Sequence, residues 1–154
     1  MALDLDVTLF DPELVFFGWR CAAPQDVFEQ LASELEPRGL VAPTWRDAVA
    51  ARERTYPTGL QTAACGIALP HADAEHVLKP FIAIVRPSAA VPFEPMGGIG
   101  TTVSAEVIVA LGFNHAEDQI GALQHLMGVF ADEARAQAVI AAATPEDLVA
   151  ALRE

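Results

Sequence analysis

Apolar positions along the chain fall into short continuous runs separated by stretches with helical spacing. The run Leu14 to Trp19 is aromatic and apolar and predicts a buried strand. Pro24 and Asp26 open a helix in which Val27, Phe28, Leu31 and Leu35 share one face, and Pro37 and Gly39 stop it. Thr44 is a suitable N-cap for a second helix over roughly 45–54, with Ala48, Val49 and Arg52 on successive turns. Tyr56 to Gly59 reads as a turn.

The central part is more strand-like. Ile67-Ala68-Leu69 is a short apolar strand ended by Pro70, which cannot continue a central ladder. Phe81 to Val85 is a second strand, Val91 to Phe93 at most an edge piece, and Gly97 to Gly100 a flexible loop. The strongest strand lies within Val103 to Phe113. From Glu117 the period becomes helical, placing Ile120, Leu123, Leu126, Met127 and Phe130 on one face. Asp132 starts a short helix through Ile140, and Thr144-Pro145 opens the last one. This alternation predicts an α/β fold with a largely buried sheet.

At 154 residues the chain fits one domain, and no repeat or linker divides it, so a single domain over 1–154 is expected. Apolar residues make up 53%, which excludes a mainly disordered chain. The balance of 9 basic against 21 acidic residues excludes nucleic acid and anionic membranes as natural partners and favours a basic protein surface. Cys21 and Cys65 form no CxxC and no disulfide framework, which points to a reducing compartment. The acidic start MALDLDVTLFDPE does not resemble a signal peptide, and the run Val107 to Phe113 is far too short to span a membrane. A cytoplasmic protein without direct membrane insertion is expected.

His71 is the histidine of most interest, because it directly follows a strand end, where ligands gather in α/β sheets. Position alone leaves open whether it performs chemistry or is a loop histidine with a satisfied hydrogen bond. His71, Asp73 and His76 place three ligand types within six residues, but no helical histidine pair, CxxC or acidic cluster completes a metal site. His115 and His125 read as surface or packing residues, and Cys65 as a small buried residue. Nucleotide loops and the GxSxG nucleophile elbow are missing from the sequence, so no cofactor is expected.

The segments Arg52-Glu53-Arg54-Thr55-Tyr56-Pro57-Thr58-Gly59-Leu60 and Gly66-Ile67-Ala68-Leu69-Pro70-His71-Ala72-Asp73 resemble the signature of the EIIA domains of the bacterial sugar phosphotransferase system. The resemblance is to the fructose/mannitol/nitrogen-type superfamily and runs from about Leu14 to Leu152. Pro70 to Val77 and Phe93 to Gly97 are most similar to the galactitol-specific branch. The resemblance implies a three-layer α/β/α sandwich around a small mixed sheet. It also implies His71 as phosphoryl acceptor, with Arg52 stabilising the charge of the phosphoryl group in transit. Thr58 falls where a hydroxyl would donate to that group. Where many members carry a second active-site histidine, this chain has Gln119, which can hydrogen-bond but cannot be charged. His115 would take that role only if its loop folds back.

The implied function is a relay: HPr donates to His71, and His71 passes the group to a cysteine of a cognate EIIB and through it to EIIC. Such a relay needs a shallow apolar docking face around His71. The alternative within the same superfamily is a nitrogen-type regulator, in which phosphorylation of His71 switches partner binding.

Overall fold

The computed structural model describes residues 6–153; the acidic start at residues 1–5 lies outside them. The strands are β1 (Phe10–Phe17), β2 (Gly59–Gln61), β3 (Gly66–Ala68), β4 (Phe81–Arg86), β5 (Val91–Phe93) and β6 (Val103–Gly112). The helices are α1 (Pro24–Leu35), α2 (Trp45–Thr55), α3 (Ala116–Ala131), α4 (Glu133–Ala141) and α5 (Pro145–Arg153). The sheet is mixed, with strand order β1-β4-β6-β3-β2 and β5 paired to β6 outside that path. β1 runs parallel to β4 and β3 parallel to β6, while the β4–β6, β2–β3 and β5–β6 pairs are antiparallel.

Period-two alternation in the strands sorts side chains onto two faces, since successive residues point to opposite sides. Ile67, Ile82, Ile84, Val107, Val109 and Leu111 pack with α3, α4 and α5. Ala68, Phe81, Ala83, Val85, Ile108 and Ala110 pack with α1 and α2. The result is the three-layer α/β/α sandwich that the resemblance implied. Gly66 is required by close approach, because a Cβ there would run into the Ser104 carbonyl of β6.

Local chemistry sets the helix boundaries. The Asp26 carboxylate accepts from Ala22 and Ala23 N–H at 2.9 and 3.1 Å, closing the start of α1. The α1 face is the one read from the periodicity. Asp132 caps α4 by accepting from Ala134 and Arg135 N–H, and Thr144 accepts from Asp147 N–H at the start of α5. Arg153 donates to the carbonyls of Val7 and Phe10, tying α5 to the start of β1.

Several expectations are corrected. β1 begins at Phe10, four residues early, with a register shift between Phe10 and Val15, and Gly18 at φ +77° turns the chain out of it. β2 follows the Tyr56 turn and was not anticipated. Thr44 precedes α2 as expected but does not cap it: its hydroxyl lies 2.8 Å from His76 Nδ1. The stripe assigned to α3 is rotated. Ala122, Leu126, Val129 and Phe130 are buried, whereas Ile120 is 48% exposed. His125, by contrast, is a packing residue as read from the sequence, with Nε2 donating to Leu152 O and its ring 5.5 Å from that of Phe10.

Candidate active site

β3 delivers the site. Its ladder with β2 ends at Ala68, and the next three residues leave the sheet under constraint from both sides. Leu111 N–H of β6 donates to Pro70 O at 3.0 Å, and His71 forms a parallel bridge with Leu111. On the other side Leu69 N–H donates to the Thr58 hydroxyl at 3.2 Å. Pro70 has no N–H of its own to satisfy.

The His71 ring turns back on this segment, with Nδ1 3.0 Å from Leu69 O. A carbonyl only accepts, so Nδ1 carries the proton and Nε2 keeps its lone pair. Burial pushes the His71 pKa down. The Leu69 carbonyl and Asp73 oppose that shift, and the Arg52 charge adds to it. The ring is therefore neutral at pH 7, the state in which Nε2 is a nucleophile.

A cavity of about 260 Å³ opens in front of the ring. Arg52 enters it from the end of α2, Asp73 from the loop after His71, and His115 and Gln119 from the start of α3. Arg52 Nη1 donates to Asp73 Oδ1 at 3.0 Å, and its guanidinium lies 5.2 Å over the Tyr56 ring. Arg52 Nε is buried without a partner among the described residues, a donor in reserve. Phe113, Ile120 and Leu123 form the apolar wall. The exposure of Ile120 thus belongs to the mouth of this cavity.

His71, Arg52 and Gln119 come together, and His115 joins them because it directly precedes α3. Thr58 does not line the cavity. It is buried, and its hydroxyl donates to Glu53 Oε1 at 2.8 Å, so the proton expected for a phosphoryl oxygen is already committed. Glu53 also accepts Thr58 N–H on Oε2 at 2.7 Å. It is 9% exposed, and burial raises its pKa to about 6 against the pull of the two Thr58 hydrogen bonds. The periodicity contained a signal for this residue: Trp45, Val49 and Glu53 lie at intervals of four, on the face of α2 that is buried. The H-x-D-x-x-H set separates, since Asp73 pairs with Arg52 and His76 with Thr44.

A neutral imidazole with a fixed tautomer and a guanidinium line one shallow cavity at a strand end, an arrangement that suits an anionic group. The chain belongs to the EIIA 2 family of the phosphoenolpyruvate-dependent sugar phosphotransferase system, whose family model matches residues 8–154. It is a phosphotransferase-system component, as the signature segments implied. The galactitol-specific EIIA component of Escherichia coli strain K12 is 30% identical over 103 residues, covering 67% of this chain and 68% of that protein. Among solved structures, the nitrogen regulatory protein IIA-Ntr of Neisseria meningitidis matches with a TM-score of 0.77 at 19% identity, over 92% of this chain and 94% of that one. The mannitol enzyme IIA of Escherichia coli, solved in complex with phosphorylated mannitol enzyme IIB, matches with a TM-score of 0.74 at 21% identity, over 91% and 94%. At these identities the structural likeness speaks for the fold alone. Among the described residues no helix is long and apolar enough to cross a membrane.

Proposed function

We propose that this chain acts as a single-domain phosphoryl carrier of a galactitol-type transport system in the cytoplasm. HPr hands its phosphoryl group to His71 Nε2, and the group then passes to a cysteine of a cognate EIIB, which serves EIIC. In the first step the Nε2 lone pair forms the new N–P bond while the N–P bond of the donor breaks and its electron pair returns to the donor ring. Nδ1 keeps its proton, and Leu69 O stabilises the positive charge that develops on the His71 ring. Arg52 takes the phosphoryl oxygens, exchanging its exposed pairing with Asp73 for a doubly charged partner. Gln119 donates a neutral hydrogen bond, and His115 lies within the same cavity.

The observation that carries this reading is the His71 ring itself, with Nδ1 3.0 Å from a main-chain carbonyl and the remaining nitrogen free for attack. The galactitol assignment is supported by the 30% identical relative, and the apolar mouth at Ile120 and Leu123 suits partners that dock in turn.

The test supplies labelled phosphoenolpyruvate, enzyme I and HPr, followed by a galactitol-type EIIB. The expected result is acid-labile label on the wild-type chain, absent from His71→Ala, that moves on to EIIB. Absence of label from the wild type overturns the relay. Label that stays on the chain in the presence of EIIB favours the nitrogen-type regulator instead.

A further inference from the structure

We propose that Glu53 is a positioning residue for the acceptor ring, acting through the Thr58 hydroxyl and the main chain of Leu69 on the Nδ1–H of His71. The inference rests on His71 being the acceptor and gives the buried carboxylate a part in the same reaction.

Glu53 is a costly residue to bury, because a carboxylate loses its hydration and no ion pair compensates it among the described residues. Its two oxygens are occupied by one residue, accepting Thr58 N–H at 2.7 Å and Thr58 O–H at 2.8 Å. This commitment has a directional consequence. A hydroxyl has one proton, and once that proton points at Glu53 the oxygen faces Leu69 N–H as an acceptor. The contact at 3.2 Å continues the β2–β3 connection one residue beyond the last ladder pair, Gly59–Ala68. Leu69 is thereby held at its nitrogen while its carbonyl meets the ring at 3.0 Å. Three hydrogen bonds in series connect a buried carboxylate to the tautomer of the nucleophile.

Glu53 also reaches solvent by a separate route. It lines a second cavity of about 250 Å³ with Pro24, Phe28, Arg54 and Glu94, away from the cavity that admits the phosphoryl group. The two cavities share no lining residue, so proton exchange at Glu53 has a route that does not pass the His71 ring. The charged and titratable groups around the chain of bonds are Arg54 and Glu94 at this second cavity, and Arg52, Asp73 and His115 at the first. With its pKa raised to about 6, Glu53 is mostly ionised at pH 7 and in that state holds both Thr58 donors. Protonated, it presents an O–H to the Thr58 oxygen, in competition with Leu69 N–H.

The experiment compares wild type with Glu53→Gln, Thr58→Val and Thr58→Ser. It reads the nitrogen-15 shifts of the His71 ring, the rate of label uptake from phospho-HPr between about pH 5 and 8, and the melting temperature. In Glu53→Gln and Thr58→Val the ring is expected to shift from pure Nδ1–H toward a mixture of tautomers, and uptake at neutral pH to fall about tenfold or more, the scale of a misplaced reacting group. Thr58→Ser keeps the hydroxyl and is expected to retain the tautomer and most of the rate. The acidic limb of the rate profile should be shallower in Glu53→Gln, because one of two titrating groups is gone. The proposal is overturned if Thr58→Ser and Thr58→Val behave alike, or if Glu53→Gln melts near wild type with its ring shifts and pH profile unchanged. A wild type that takes no label overturns the relay reading separately, and the ring shifts then still decide the role of Glu53.

Discussion

His71 and His125 each place one ring nitrogen against a main-chain carbonyl, that of Leu69 in one case and of Leu152 in the other. In both, the carbonyl selects a tautomer. The regions differ in what surrounds the rest of the ring. His125 lies in the seam between α3 and α5, against the Phe10 ring, where its hydrogen bond closes a helix-to-helix contact. His71 stands at a strand end and opens onto a cavity shared with Arg52 and Gln119. A fixed tautomer is thus a structural device in one place and, in the relay proposed above, a prerequisite for chemistry in the other. The nitrogen left over, and the cation in front of it, make the difference.

The largest expected effect separates the two histidines outright. His71→Ala should abolish acid-labile labelling with little loss of stability, while His125→Ala should label normally and unfold more easily. Loss of ring packing and of the Leu152 hydrogen bond should cost about 1–3 kcal/mol, read by chemical denaturation. If His125→Ala also stops labelling, the contrast fails. Next in size is Arg52→Ala, which removes the donors that the proposed reaction places before the transferred group. Uptake should fall by about 100-fold or more, and a loss under about threefold would detach Arg52 from the reaction.

The third effect is a pH dependence of stability with opposite signs at neighbouring groups. Glu53 has a folded pKa of about 6 against an ordinary value of 4.5, so between these the folded state binds the extra proton. Its contribution to stability falls as pH rises from about 4.5 to about 6, by up to about 2 kcal/mol. His71 has a folded pKa below its ordinary 6.5, so its contribution is complete above that value and is lost as pH falls below it. Denaturation of Glu53→Gln across this range should therefore show a steeper loss of stability toward acid than wild type. Equal slopes would mean that Glu53 is not desolvated as its burial indicates. The smallest effect concerns the net charge of -12. Uptake from a basic HPr should slow a few-fold from low to physiological ionic strength. A rate unaffected by salt would reduce the charge to a solubility feature.

Much of the fold was legible because its strongest elements repeat their signal. Val27, Phe28, Leu31 and Leu35 mark one helical face, and the apolar runs in β4 and β6 are buried on both sides of the sheet. β1 was less legible at its start, where Asp11, Pro12 and Glu13 interrupt the apolar pattern in a strand with shifted register. β2 is three residues long and owes its existence to pairing with β3, which no local pattern encodes. The α3 stripe was misplaced because Ile120 satisfies helical spacing yet lines the cavity mouth instead of the core. Motif order singled out His71, Arg52 and Gln119, which the fold brings to one cavity. It could not say where the Thr58 proton points, because that depends on Glu53 being folded over Thr58 from the preceding turn.

For the proposed relay, the grip on Leu69 and Pro70 from both flanks has a kinetic meaning. A carrier that gains and loses a doubly charged group in every cycle would ordinarily have to recoil each time. Here the support is clamped between a buried hydroxyl and the middle strand, and the dipoles facing the ring are already in place before charge arrives. If His71 carries the phosphoryl group as proposed, little reorganisation is left to slow the chemistry, and throughput would pass to the arrival and departure of partners at the mouth of the cavity.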